Sequence, residues 1–510
     1  MFLFEIKEKT STFNIQSSLF NIPSTFLQYS LFIIPFLMKS FKVLLLIAIS
    51  IGIITSCRHD KGEAPVPDSG YPDAVAKILV DKCATAGCHN TQSKDGASGL
   101  DLSTWDKMLN GNNSGAVVIP YNTECSMLLR FVNTDTLLGM VQIPTMPLNA
   151  PQLTTSEYTT LRDWIASGAP DKNGKVFFSP TANQKKYYIS NQTCDLIAVC
   201  DPVRRVIARY IQVGVIPNTP EQPHTIKMSP DGNYWYAVYY LGYVFQKFRT
   251  LDDSLVGTLT LPQSNGWSSM NFSPDSKTAY LSNLDNSGVA VVDLNSMTLV
   301  MPFTYPFDNA HGVAINPNSG WLYVANQGSG TIHKADVTDL SSYDDIAVGA
   351  RTHEIAFSPD SSKYFLTCDY DSQVLVMDAL TDVLIATIPT GTAPKEMSFS
   401  LKHPYLFVTC METADGNYRG SVVVINYQTN QKIKEIQNAF FQPHGLAVND
   451  DDDVVYIASR NADPTGPAPH HLSECGRNGF LSIIDMETLT VIPGYKNELS
   501  TDPYSVFYKK

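Results

Sequence analysis

The chain is short of charge and has no basic run. Charged residues make up 17% of its 510 positions, and Lys and Arg never occur three in a row; an average soluble domain carries about 25% charge. With a net charge of −13, this excludes a nucleic-acid groove and a patch for anionic lipid. A P-loop, a dinucleotide fingerprint and a nucleophile triad are also missing, and Gly328-Ser329-Gly330 reads as a hairpin turn. Phosphate-cradling and acyl-transfer chemistry therefore have no foothold. What is present is an apolar fraction of 44% over 510 residues, enough for a substantial core and more than one domain.

The first 56 residues read as a leader. Lys39 and Lys42 precede an apolar run from Val43 to Ile54, and Ile54-Thr55-Ser56-Cys57 ends it. Small residues before a cysteine resemble a bacterial lipoprotein signal, with Cys57 as the lipidated residue and Met38 as the expected true start. The run is short for a spanning helix. The expectation is an exported protein, lipid-anchored to a bacterial membrane and facing the periplasm or cell surface. Residues 57–72, rich in Pro, Gly and Asp, would be a tether.

Residues 73–172 read as a small helical domain. Apolar positions recur at helical spacing up to Val80, and Thr154-Thr155-Ser156-Glu157 announces a capped helix with Leu161, Trp164 and Ile165 on one face. Between them lies Cys83-Ala84-Thr85-Ala86-Gly87-Cys88-His89. Two thiols ending in Cys-His suit covalent attachment of one haem c, with His89 as an iron ligand. The spacing is wider than usual, and a Cys83–Cys88 disulfide is the plain alternative. A soft second ligand is expected, and Met146-Pro147 is the natural place for it. Met140 is the runner-up, and Met127 reads as core.

These residues, with Gly99-Leu100-Asp101-Leu102, Gly115-Ala116-Val117-Val118-Ile119-Pro120 and Trp164-Ile165-Ala166-Ser167-Gly168, resemble the single-haem cytochrome c domain of planctomycete and Bacteroidetes-type secreted proteins. The resemblance implies haem c held by Cys83, Cys88, His89 and Met146. Tyr121, Cys125 and the cysteine spacing depart from the family pattern.

After a linker at 173–185, residues 186–510 repeat. Openings at His224, Trp267, His311, His353, Lys395, His444 and Tyr504 are 43, 44, 42, 42, 49 and 60 residues apart. Each leads through an apolar run and a turn to a second strand. A period near 43 built of short strands marks propeller blades, and seven openings predict an all-β seven-bladed β-propeller. Its first three strands and its last strand should close one blade, which removes the free edge. Leu322-Tyr323-Val324-Ala325-Asn326 and Val374-Leu375-Val376-Met377-Asp378 resemble the YVTN propellers, a likeness that implies fold and not function.

Four histidines, His224, His311, His353 and His444, are expected at one wet mouth of the channel, either for packing or as candidate catalytic or metal ligands. Long insertions after Cys410 and Arg460 should rise from the same face, with Cys410–Cys475 as the favoured disulfide and His470 and His471 in the longer loop. Asp450-Asp451-Asp452-Asp453 reads as a solvated turn in preference to a calcium site. The leading functional expectation is an electron-transfer protein that serves redox protein partners through a His/Met haem, with the propeller as docking scaffold. The alternatives are an oxidoreductase with a second metal in the propeller funnel, and a binding or sensory module with a structural haem. No substrate is named by the sequence.

Overall fold

The computed structural model describes residues 68–181, 183–304, 307–412, 420–460, 477–493 and 497–509. The leader, Cys57, His470, His471 and Cys475 lie outside them. A helical region is followed by seven β-sheets arranged in a ring.

The helical region contains four α-helices, Asp73–Ile78, Trp105–Met108, Met127–Val132 and Thr155–Ala166. The last starts with a full capping box, in which Thr154 accepts from the Glu157 amide and Glu157 accepts from that of Thr154. Leu161, Trp164 and Ile165 are buried on its inner face, as their spacing predicts. The first helix continues through Leu79–Cys83 as a wider π-type turn, so Cys83 is the last residue of a helical run. Trp105 and Trp164 donate their indole N–H groups to the carbonyls of Ala169 and Pro170, at 2.8 and 2.9 Å, which ties the last helix to the second.

Each propeller blade is an antiparallel sheet. Their inner strands are Pro223–Met228, Trp267–Phe272, Ala310–Ile315, Thr352–Phe357, Thr392–Phe399, Pro443–Asn449 and Pro503–Lys509, here blades 1 to 7. Blade 7 is composite: Pro503–Lys509 pairs with Lys186–Asn191, followed by Leu196–Asp201 and Val206–Gln212. The expected closure is therefore present. Every second strand carries an aromatic at one equivalent position, Tyr236, Tyr280, Tyr323, Phe365, Phe407, Tyr456 and Tyr188, and all seven are buried. Apolar clusters fill each gap between neighbouring blades. One four-stranded sheet buries neither face alone, so stability comes from the stack.

The joint at blade 7 is reinforced by buried charge. Lys186, fully buried, donates to Asp253 of blade 1 at 2.9 Å and to the Thr250 carbonyl at 2.8 Å. The same carboxylate accepts from the Tyr188 hydroxyl at 2.6 Å, the Trp235 indole at 3.3 Å and Arg209. Burial pulls the Lys186 ammonium below its ordinary range while Asp253 opposes that shift. A second joint of this kind places Lys334, Tyr323 and Tyr364 around Asp382.

The helical region packs on the outer side of blades 6 and 7. Ala116 and Ile119 enter the apolar cluster shared by those blades. Arg204, in a turn of blade 7, reaches Asp106 at 2.7 Å, and the Glu498 amide donates to the Ser114 carbonyl at 3.0 Å.

One cysteine expectation is corrected. Cys410 is a free thiol, fully buried at the end of the second strand of blade 5, so it makes no disulfide with Cys475. Burial pushes this thiol up to about 12, which suits an inert core position. Cys194 is disulfide-bonded. The aspartate run is a turn whose carboxylates are engaged: Asp450 accepts from Ser400, Asp452 from Asn449 and Asp453 from His403, while Asp451 pairs with Lys185.

Replacing Asp253 by Ala strands the Lys186 ammonium with no anion in the apolar joint. The expected loss is about 3–5 kcal/mol, read as a lowered denaturant midpoint of the propeller, whereas Asp275→Ala at an exposed turn should stay within about 0.5 kcal/mol.

Candidate functional site

The channel site begins with a backbone irregularity that repeats seven times. In each blade the inner strand carries one more residue than its partner near its start, for example between Pro223 and Thr225 against Tyr239 and Val238. The same shift occurs at Trp267/Ser269, Ala310/Val313, Thr352/Glu354, Pro394/Met397, Pro443/Leu446 and opposite Ile189/Asn191. A bulge re-aims the side chain at the extra residue. The equivalent residues are His224, Ser268, His311, His353, Lys395, His444 and Tyr504. Ser268, not Trp267, therefore holds the blade 2 position; Trp267 is fully buried in the core between blades 1 and 2.

The bulge leaves a carbonyl out of the strand ladder, and the preceding blade supplies its donor. Thr225 donates to the Ser268 carbonyl at 2.6 Å, Thr367 to that of Lys395 at 2.8 Å and Thr409 to that of His444 at 2.6 Å, while Ser282 donates to that of His311. The His353 carbonyl lies 2.9 Å from His311 Nδ1. These contacts stitch blade to blade.

Four histidines and Tyr504 close into a ring around the axis. Ring centroids are 6.3 Å apart for His224 and His311, 3.9 Å for His311 and His353, and 5.9 Å for His353 and His444. His444 stacks on Tyr504 at 3.6 Å, and Tyr504 meets His224 at 4.2 Å. Ser268 is small, and Lys395 is drawn to Asp369 at 2.9 Å, so the five aromatic groups meet across both gaps. All four histidines are buried; the expected wet mouth is a closed floor. Arg460 lies 4.9 Å above the Tyr504 ring and is held by Asp502 at 2.6 Å.

Burial, then neighbouring cations and imidazoles, keep these histidines neutral, with His311 lowered to about 4. A carbonyl only accepts, so His311 Nδ1 carries the proton and Nε2 keeps its lone pair. His353 Nδ1 and both nitrogens of His444 are buried without a partner among the described residues. One donor atom from each of His311, His353 and Glu354 lie within 4.8 Å of one another. Two imidazoles and a carboxylate form a ligand set for a divalent transition metal with open positions.

Glu354 also lines a chamber of ≈ 460 Å³ along the channel beyond the ring, with Glu396, Lys227, Thr225, Ser269 and Ser505. Burial first, and repulsion from Glu396, push the Glu354 carboxyl well up; burial also raises Glu396, and Lys227 opposes both shifts. Neither acid was singled out in the sequence. The available signal was positional: the residue after each bulge is small in five blades (Thr225, Ser269, Gly312, Gly445, Ser505) and acidic in two.

The second site lies in the helical region. The His89 amide donates to the Cys83 carbonyl at 3.1 Å and the Cys88 amide to that of Thr85 at 3.0 Å, which folds the two-cysteine segment into a closed turn. Cys83, His89 and Met146 line one apolar cleft of ≈ 290 Å³ with Met127, Phe131 and Leu100. Met127 is thus both core and wall. Cys88 is exposed on the adjoining turn and is not part of the wall. Burial pushes the Cys83 thiol up to about 11. His89 Nδ1 is buried without a hydrogen-bond partner among the described residues, and burial lowers the ring's pKa while backbone hydrogen bonding to Ala97 and Leu100 opposes that shift. Met140 is exposed and lies in another groove with Arg130 and Tyr158.

No protein-family model and no curated protein matches the chain. Among solved structures it is similar to hydrazine synthase of Kuenenia stuttgartiensis (17% identity, 58% of this chain and 92% of that one, TM-score 0.47). A functionally unknown protein of Desulfotomaculum acetoxidans gives 14%, 62%, 99% and 0.48. The dihydro-heme d1 dehydrogenase NirN, in complex with DHE, gives 14%, 72%, 88% and 0.46. Likenesses this distant leave the chemistry to this chain's own residues.

The glycine after His311 faces the next blade: a Cβ there would lie 2.6 Å from the His353 carbonyl oxygen and 2.8 Å from Glu354 Cα. Gly312→Ala should therefore spread blades 3 and 4 and cost about 1–3 kcal/mol, checked by thermal unfolding of the metal-free protein. Gly320→Ala, where the Cβ meets open space, should cost only its left-handed backbone strain of about 1–2 kcal/mol.

Proposed function

We propose that this chain is an exported redox protein, lipid-anchored through Cys57, whose reactive centre is a transition metal in the propeller channel. The observation that carries the reading is the triad of His311, His353 and Glu354, with donor atoms within 4.8 Å of one another and Glu354 also lining the channel chamber. His311 is fixed in one tautomer by the His353 carbonyl, which orients its Nε2 as a ligand. The closed aromatic ring excludes water on one side, while the chamber admits it on the other. His224 and His444 stand beside the triad as further imidazoles.

The helical region supplies the second part of the reading. What supports a haem there is the donor set: a buried His89 nitrogen without a partner among the described residues and a thioether from Met146 share one apolar wall with Cys83. Cys83 and Cys88 would hold the group covalently and His89 and Met146 its iron; when bound it supplies single-electron exchange with redox protein partners. The surrounding apolar side chains keep water from the cleft. The acidic surface favours cationic partner faces and disfavours nucleic acid.

A second reading, an electron carrier with the propeller as scaffold, is favoured by the cleft alone. Metal analysis and visible spectra separate the two, on full-length protein from a host that attaches haem c. The metal-centred reading expects one iron from haem plus one further transition metal per chain. His353→Ala should lose the further metal and keep the iron, whereas Met146→Ala should keep both and lose the His/Met spectral signature. Iron alone in the wild type would overturn the channel site and leave the carrier.

A further inference from the structure

We infer that the channel chamber binds a small anion, an oxyanion or carboxylate, between Lys227 and the open side of the metal triad. The inference rests on the metal reading above and names the class of ligand that the site takes. Lys227 is the one cationic side chain lining the chamber among the described residues. It stands two residues past the layer of Thr225, Ser269 and Glu354, on the wall of blade 1, and its charge acts on both Glu354 and Glu396. Its ammonium donates to the Met270 carbonyl at 3.3 Å. An ammonium has three donors, so two remain for a ligand.

Charge decides the sign of that ligand. A divalent ion held by two neutral imidazoles and the Glu354 carboxylate keeps about one positive charge, and Lys227 adds one. Glu396 offsets one of these, which leaves the chamber net positive. An organic cation would meet the metal and Lys227 together, whereas an anion satisfies both. Three protein ligands would leave a coordination position free for an added ligand, and Glu354, shared between the triad and the chamber wall, would bring the metal next to the chamber. The hydroxyl-bearing wall at Thr225, Ser269 and Ser505 and the volume of ≈ 460 Å³ suit a small polar molecule and its waters, not a long apolar one.

The test is an azide titration of chelator-washed, Cu(II)-loaded full-length protein, followed by the copper electron paramagnetic resonance signal. Azide should shift the signal saturably in the wild type. Lys227→Met should hold one copper per chain yet bind azide about ten- to a hundredfold more weakly, and Lys227→Arg should recover most of the affinity. A wild type that holds one copper but ignores azide, or equal azide affinity in Lys227→Met, overturns the anion site. Failure of the wild type to take up copper overturns the metal reading and this inference with it.

Discussion

Everything in the large domain depends on the strand pairing between Lys186–Asn191 and Pro503–Lys509. A propeller blade has apolar side chains on both faces, and each face is covered only if the ring is complete. Backbone hydrogen bonds between the two ends of the domain complete it. The same joint holds the buried Lys186–Asp253 contact, with Tyr188, Trp235 and Arg209 on one carboxylate. A charge buried so deeply adds little net stability when paired but penalises any opening that separates the partners. It therefore favours the closed ring over alternative registers.

Closure brings seven bulges to one axis, and that is what makes a site. A single bulge carrying a histidine is only a local kink. Around the axis the seven positions face each other, and Ser268 and Lys395 withdraw so that five aromatic rings meet. The glycines after His311 and His444 are part of the same geometry, since a Cβ at either would strike the backbone of the next blade. His-Gly is thus a packing unit and a ligand unit at once. The packing explanation and the metal explanation of these histidines do not compete: the close approach of the inner strands is what draws the donor atoms together.

The two candidate redox centres occupy different places. The cleft with His89 and Met146 belongs to a helical region packed on the outer side of blades 6 and 7, whereas the triad and its chamber lie on the axis. The outer contacts, Arg204 to Asp106 and Glu498 to Ser114, set this arrangement. The chain therefore keeps the helical cleft apart from the chamber on the propeller axis.

Local pattern carried much of this architecture. Strand order and blade number follow from a period of short apolar runs and turns, because each blade is built from contiguous chain. The composite blade was legible because the first three strands and the last one complement each other. The helix cap at Thr154 and the two-cysteine turn were also legible, being set within a few residues. The bulge register was not, which placed Trp267 where Ser268 stands; one extra residue flips every later side chain to the other face. Burial of the histidines, the free Cys410, and the grouping of Lys227, Glu354 and Glu396 depend on which strands meet across the axis. The sequence by itself determined the repeat, its closure and the chemistry-bearing residue types. Only the tertiary structure decided which of them share a donor distance, because His311 lies 42 positions before His353 and meets it and Glu354 only when neighbouring blades pack around the axis.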